Sequence, residues 1–134
     1  MVAYLSCIPL SMHSIVSVSQ TQDGAERKVV VNSKIVYPYG VAVDYPNRHI
    51  FWVDTYLDYI ERADFEGRDR RTVLRGSPIQ NLYSVTVFQN DVFVSSWRDN
   101  SVLRVNKFNR DAIQCCREAS RPWCVILPWW RLKA

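Results

Sequence analysis

The chain repeats itself. Asp23-Gly24-Ala25-Glu26-Arg27-Lys28-Val29-Val30-Val31 matches Glu66-Gly67-Arg68-Asp69-Arg70-Arg71-Thr72-Val73-Leu74, an offset of 43 positions from Gly24 to Gly67. Tyr39-Gly40-Val41-Ala42-Val43 matches Tyr83-Ser84-Val85-Thr86-Val87, 44 positions from Tyr39 to Tyr83. Ile50-Phe51-Trp52-Val53-Asp54 matches Val92-Phe93-Val94-Ser95-Ser96, and Ile60-Glu61-Arg62-Ala63 matches Val102-Leu103-Arg104-Val105, both at 42. A repeat of this length is one supersecondary unit. It cannot bury its own faces and must stack on the next copy.

Each period holds four short strand-like runs, near 39–44, 49–54, 59–64 and 70–74. Between them lie turns: Asp44 to His49, built on Pro46 and Asn47; Phe65 to Arg68, with Gly67 free to take a positive φ; and Gln89-Asn90-Asp91. Short runs with period-2 alternation and no helical periodicity predict all-β antiparallel structure, in blades of about four strands. Only four glycines are present, so Asn and Asp are expected to make many of the turns. The first repeat is partial, visible near 15–18 and 27–31. The pattern ends near Val105 and is gone past Arg110. The expected organisation is an unassigned segment at 1–14, repeats over 15–110, and a Cys/Trp-rich tail at 111–134.

Several function classes are excluded by composition. The net charge is +4, but the densest basic stretch, Arg62 to Arg75, mixes five arginines with Asp64, Glu66 and Asp69. It lacks an interleaved stacking platform, so nucleic acid is not an expected partner. No apolar run is long enough to span a bilayer, and Met1 to Ser19 lacks the basic start of a signal peptide. Trp129-Trp130-Arg131-Leu132-Lys133 could anchor to a surface or partner, or belong to no domain. Cys7, Cys115, Cys116 and Cys124 leave residues 8–114 without a staple. Adjacent Cys115 and Cys116 would strain a disulfide between them. No histidine follows His49, so no zinc set is expected.

The most specific stretch is Pro38-Tyr39-Gly40-Val41-Ala42-Val43-Asp44, a turn, Ile50-Phe51-Trp52-Val53-Asp54, then Ile60-Glu61-Arg62-Ala63, then Glu66 to Leu74. It resembles the YWTD motif of the low-density-lipoprotein-receptor class B repeat, with Phe51-Trp52-Val53-Asp54 in the motif's place. The resemblance covers roughly 15–108. It implies a six-bladed β-propeller flanked by EGF-like modules, of which this chain holds about two blades. It implies the ligand-release propeller of an endocytic lipoprotein-receptor-like protein: extracellular, at the cell surface, non-enzymatic, without a cofactor, and contacting protein ligands. Wnt co-receptors and nidogen-like matrix proteins use the same repeat, and a truncated product without its own role is a further reading.

The expected structural positions are Phe51, Trp52, Val53, Asp54, Gly40, Arg62 and Gly67. Alternation places Phe51 and Val53 on one face and Ile50, Trp52 and Asp54 on the other. Asp54 is expected to be buried by ring closure and hydrogen-bonded to backbone N–H groups. The next repeat has Phe93-Val94-Ser95-Ser96 and lacks this aspartate. A calcium-dependent lactonase would need Asp, Asn and Glu ligands from several blades. Asp44 and Asp54 alone do not supply them, and no catalytic or metal site is expected. His49 is expected as an exposed turn residue. Two blades with an apolar face at each end are expected to be marginal alone or to self-associate.

Overall fold

The computed structural model describes residues 5–6, 15–18, 27–77, 79–109 and 111–117. Eleven strands form among them: β1 Leu5–Ser6, β2 Ile15–Val18, β3 Arg27–Val31, β4 Pro38–Asp44, β5 His49–Asp54, β6 Tyr59–Asp64, β7 Arg71–Arg75, β8 Leu82–Phe88, β9 Asp91–Ser96, β10 Ser101–Asn106 and β11 Ala112–Arg117. Among the described residues there is no helix, hence none able to cross a membrane. β4-β5-β6-β7 and β8-β9-β10-β11 are four-stranded antiparallel meanders, and β1-β2-β3 is a three-stranded one. The architecture is all-β, with two complete blades.

Alternation in β5 builds two cores, one on each side of the first blade. Phe51 and Val53 join Ile60, Val73, Leu82, Val85, Val92, Val94, Leu103 and Val105, filling the space between the blades. Ile50 and Trp52 join Val31, Ile35, Tyr59 and Ala63, filling the space toward β3. Both faces of β5 are therefore covered, and Phe51 through Asp54 are all buried. Burying Trp52 and Phe51 stabilises the stack by roughly 2–3 kcal/mol each on area grounds.

The repeat is also visible in its irregularities. The outer strand pair of each sheet carries one extra residue, at Val30, Val73 and Cys115. The first strand of each complete blade is bulged at Tyr39 and Tyr83. A bulge re-aims side chains and increases local twist. Asp58, Asp69, Asn81 and Asn100 take positive φ, as the scarcity of glycine requires, and Lys34, Arg48 and Gln89 join them.

The strand ladder departs from the sequence expectation at both ends. β11 lies past the boundary drawn at residue 110 and is the fourth strand of the second blade. Its apolar alternation is weak, because an outer strand needs little burial. β1 lies inside the segment read as unassigned, pairing with β2. Cys7, Cys124 and the tryptophan-rich stretch 129–133 lie outside the described residues.

Candidate functional site

Asp54 ends β5, and its carboxylate is fully buried. Oδ2 accepts the N–H groups of Val36 and Tyr37, at 2.7 and 3.0 Å. Oδ1 accepts those of Tyr56 and Leu57, at 3.0 and 2.9 Å. One side chain thus ties the segment entering β4 to the turn leaving β5. The burial comes from these neighbouring segments of the chain; ring closure, invoked above, is not needed. A carboxylate accepting four N–H bonds is fully satisfied and has no lone pair left for chemistry.

Ser96 takes this position in the second blade, and the strongest bond there is a donated one. Its Oγ donates to the Gln80 carbonyl at 2.8 Å and accepts a single long N–H bond, from Asp99 at 3.4 Å, where Asp54 accepts four. The N–H of Asn81 turns to Asp58 Oδ1 of the preceding blade, at 2.9 Å. Thr55 Oγ1 donates to the Leu82 carbonyl. The first blade thereby fastens the entry to the second.

Gly40 and Gly67 are both needed for close approach. A Cβ on Gly40 would sit 2.9 Å from the Val85 nitrogen, where the inner strands β4 and β8 meet. A Cβ on Gly67 would lie 2.1 Å from the Val30 carbonyl oxygen, and φ there is +80°.

Arg62 is half-buried, and its Nη1 lies 2.6 Å from His49 Nε2. His49 is the first residue of β5 and half-buried, which corrects the exposed-turn reading. Its side chain faces across the ladder to Asp44 on β4 and Asp64 on β6. Burial and then the Arg62 guanidinium hold its pKa below the usual histidine value. Beside it is a bond that sequence reasoning missed. Lys107, after β10, reaches the first blade and meets Asp44 Oδ2 at 2.5 Å, with both side chains buried. The ammonium also donates to the Gln89 carbonyl and lies 5.6 Å from the centre of the Phe51 ring. Burial pushes the Asp44 carboxyl up, but the Lys107 and Asn47 bonds outweigh it and leave the pKa lowered.

A second network clamps the segment before β4. Arg70 pairs with Glu61 at 2.5 Å, donates to the carbonyls of Ser33 and Lys34, and lies 5.2 Å from the centre of the Trp52 ring. The Tyr59 hydroxyl donates to the Lys34 carbonyl at 2.6 Å. Burial raises the Tyr59 pKa to about 12.

The end of the blades that holds Asp54 carries aromatic side chains in two groups. Tyr37 and Tyr56 meet edge to face at 5.8 Å. Tyr39, Tyr83 and Trp97 follow, at 4.9 and 5.3 Å between successive rings. Tyr56 is 68% exposed, Tyr39 55%, Trp97 42% and Tyr37 38%. The bulges at Tyr39 and Tyr83 bring two of these rings together across the blade boundary. Periodicity alone did not reveal the larger group, because bulged residues leave the alternation. Among the described residues no three His, Cys, Asp or Glu side chains cluster as metal ligands would.

Residues 48–89 match the family described as low-density lipoprotein receptor repeat class B. The match runs from β5 through β8, so the sequence repeat straddles two blades by one strand. A vitellogenin receptor of Solenopsis invicta is 38% identical over 104 residues, 77% of this chain and 6% of that protein. A sortilin-related receptor of Mus musculus is 33% identical over 92 residues, 69% of this chain and 4% of that protein. The chain thus spans a small part of these relatives, which are receptors. Among solved structures, a luciferin-regenerating enzyme shares the fold with a TM-score of 0.60 at 10% identity, covering 75% of this chain and 36% of that one. A nidogen/laminin complex aligns with a TM-score of 0.48 at 16% identity, over 81% of this chain and 57% of that one. With its strand order, its Phe51–Asp54 motif and its receptor relatives, this chain is a partial YWTD-type β-propeller and belongs to the low-density lipoprotein receptor class B repeat family.

Proposed function

We propose that the chain is part of the extracellular propeller of an endocytic lipoprotein-receptor-like protein, and that it binds protein through its aromatic end. Tyr37, Tyr39, Tyr56, Tyr83 and Trp97 carry this reading, because they form two ring clusters at one end of the two blades, all exposed except the half-buried Tyr83. Tyrosine and tryptophan give large contact area at low entropic cost and dominate binding hot spots. The vitellogenin-receptor relative supports a protein ligand, and its class supports a non-enzymatic role. The outer faces of the two blades would meet further blades, with EGF-like modules beyond them. Asp54, Gly40, Arg62 and Gly67 hold the frame in this reading.

Ligand release enters through the seam of His49, Arg62, Asp44 and Lys107. Protonating His49 places a third cation beside Arg62 and Lys107 and loosens the inter-blade seam at the end of β5 opposite the aromatic side chains.

The test is binding of purified vitellogenin to the immobilised 134-residue chain by surface plasmon resonance. The Tyr39→Ser/Trp97→Ser variant is expected to bind at least ~10-fold more weakly, with an unchanged melting temperature. Equal binding by the variant, or no binding by the parent chain, would refute the reading.

A further inference from the structure

The turn between β6 and β7 and the first residue of β7 read Arg68-Asp69-Arg70-Arg71, followed by Thr72. Arginines at the first, third and fourth positions of such a run suit the acid-lined subsites of paired-basic serine endoproteases, since each guanidinium can pair with a carboxylate. The structure divides the three. Arg68 and Arg71 are exposed, 76% and 64% at the side chain, and each makes only a surface ion pair. Arg70 is 20% exposed and held by Glu61, the Ser33 and Lys34 carbonyls and the Trp52 ring.

The backbone is guarded as well. A protease of this class binds its substrate as an extended strand, by strand addition. Here Asp69 has a φ of +50°, which bends the run. Arg71 and Thr72 are paired to Arg62 and Glu61 in the ladder. However, β7 is the outer strand of its blade, bonded to β6 alone. Only Val73 of the strand is deeply buried. An outer strand with one buried anchor is drawn from the low end of local stability.

We propose that Arg68–Arg71 is a guarded cleavage site for a paired-basic serine endoprotease, closed while β7 is docked and open once it detaches. In the step, water adds across the Arg71–Thr72 peptide bond. Arg71 is left with a carboxylate and Thr72 with an ammonium group. The cut falls inside β7 and severs Thr72–Arg75 from Arg71 and the turn that carries Arg70, so a blade that has opened cannot close intact. The fold thereby reports its own failure to a protease.

The test uses the full 134-residue chain, a furin-type endoprotease, and mass spectrometry of the products. A synthetic 66–75 peptide sets the unguarded rate. In native buffer the chain is expected to be cut at Arg71–Thr72 at least ~100-fold more slowly than the peptide. In mild urea that same bond becomes the first cut. Glu61→Gln, which loosens Arg70 and leaves the recognition run intact, is expected to raise the native rate ~10-fold. Arg68→Ala touches only a surface pair and is expected to abolish the cut in urea. Native cutting as fast as the peptide, a first cut elsewhere in urea, no acceleration by Glu61→Gln, or undiminished cutting of Arg68→Ala would each overturn the proposal.

Discussion

Replacing Asp54 by Asn tests whether this carboxylate holds the first blade together. The carboxylate serves four N–H groups, two on each oxygen. Asparagine keeps one oxygen and turns an NH2 group toward the other pair. The oxygen is expected to face Val36 and Tyr37, leaving the N–H groups of Tyr56 and Leu57 opposed by donors, since that turn lies nearer water. Each unsatisfied buried donor costs about 1–3 kcal/mol. Two give a loss of about 2–6 kcal/mol, against about 5–15 kcal/mol for a typical domain. With a urea slope of about 1–3 kcal/mol per molar, the midpoint falls by about 1 M or more. The assay is urea unfolding followed by far-UV circular dichroism. Ser96→Ala is the internal comparison, because that hydroxyl makes one short bond, to the Gln80 carbonyl, and only long contacts with Asp99, so its loss costs about 1 kcal/mol. If Asp54→Asn costs no more than Ser96→Ala at an equal slope, the four-bond reading is wrong.

Two more outcomes follow from the seam between blades. Lys107→Met leaves Asp44 charged and buried, with a loss of about 3–5 kcal/mol; the double variant Asp44→Leu/Lys107→Met is expected to recover most of it, measured by thermal melting. His49 has a folded pKa below its unfolded value of 6.5. Its neutral form therefore contributes stability above that value, and the contribution is lost as pH falls through the folded pKa. His49→Gln is expected to flatten this part of the stability-versus-pH curve, and an unchanged curve counts against the seam.

The legible parts of the fold were those set by short-range pattern. Alternation at 50–54 placed Phe51 and Val53 opposite Ile50 and Trp52, and both cores follow it. Turn residues placed β4 to β7 within a residue or so. β11 was not legible, because Ala112 to Arg117 lies at a sheet edge and its residues do not alternate apolar with polar.

By itself, then, the sequence determined the repeat, the strand type and the family, because periodicity and turn chemistry act over a few residues and recur at a fixed spacing. Tertiary structure alone decided which distant side chains meet. Lys107 and Asp44 sit 63 positions apart, and nothing in either neighbourhood marks them as partners until the blades stack. The larger aromatic group has the same origin. Two bulges from different repeats converge at one end, and only inter-blade packing brings the Tyr39 and Tyr83 rings within contact.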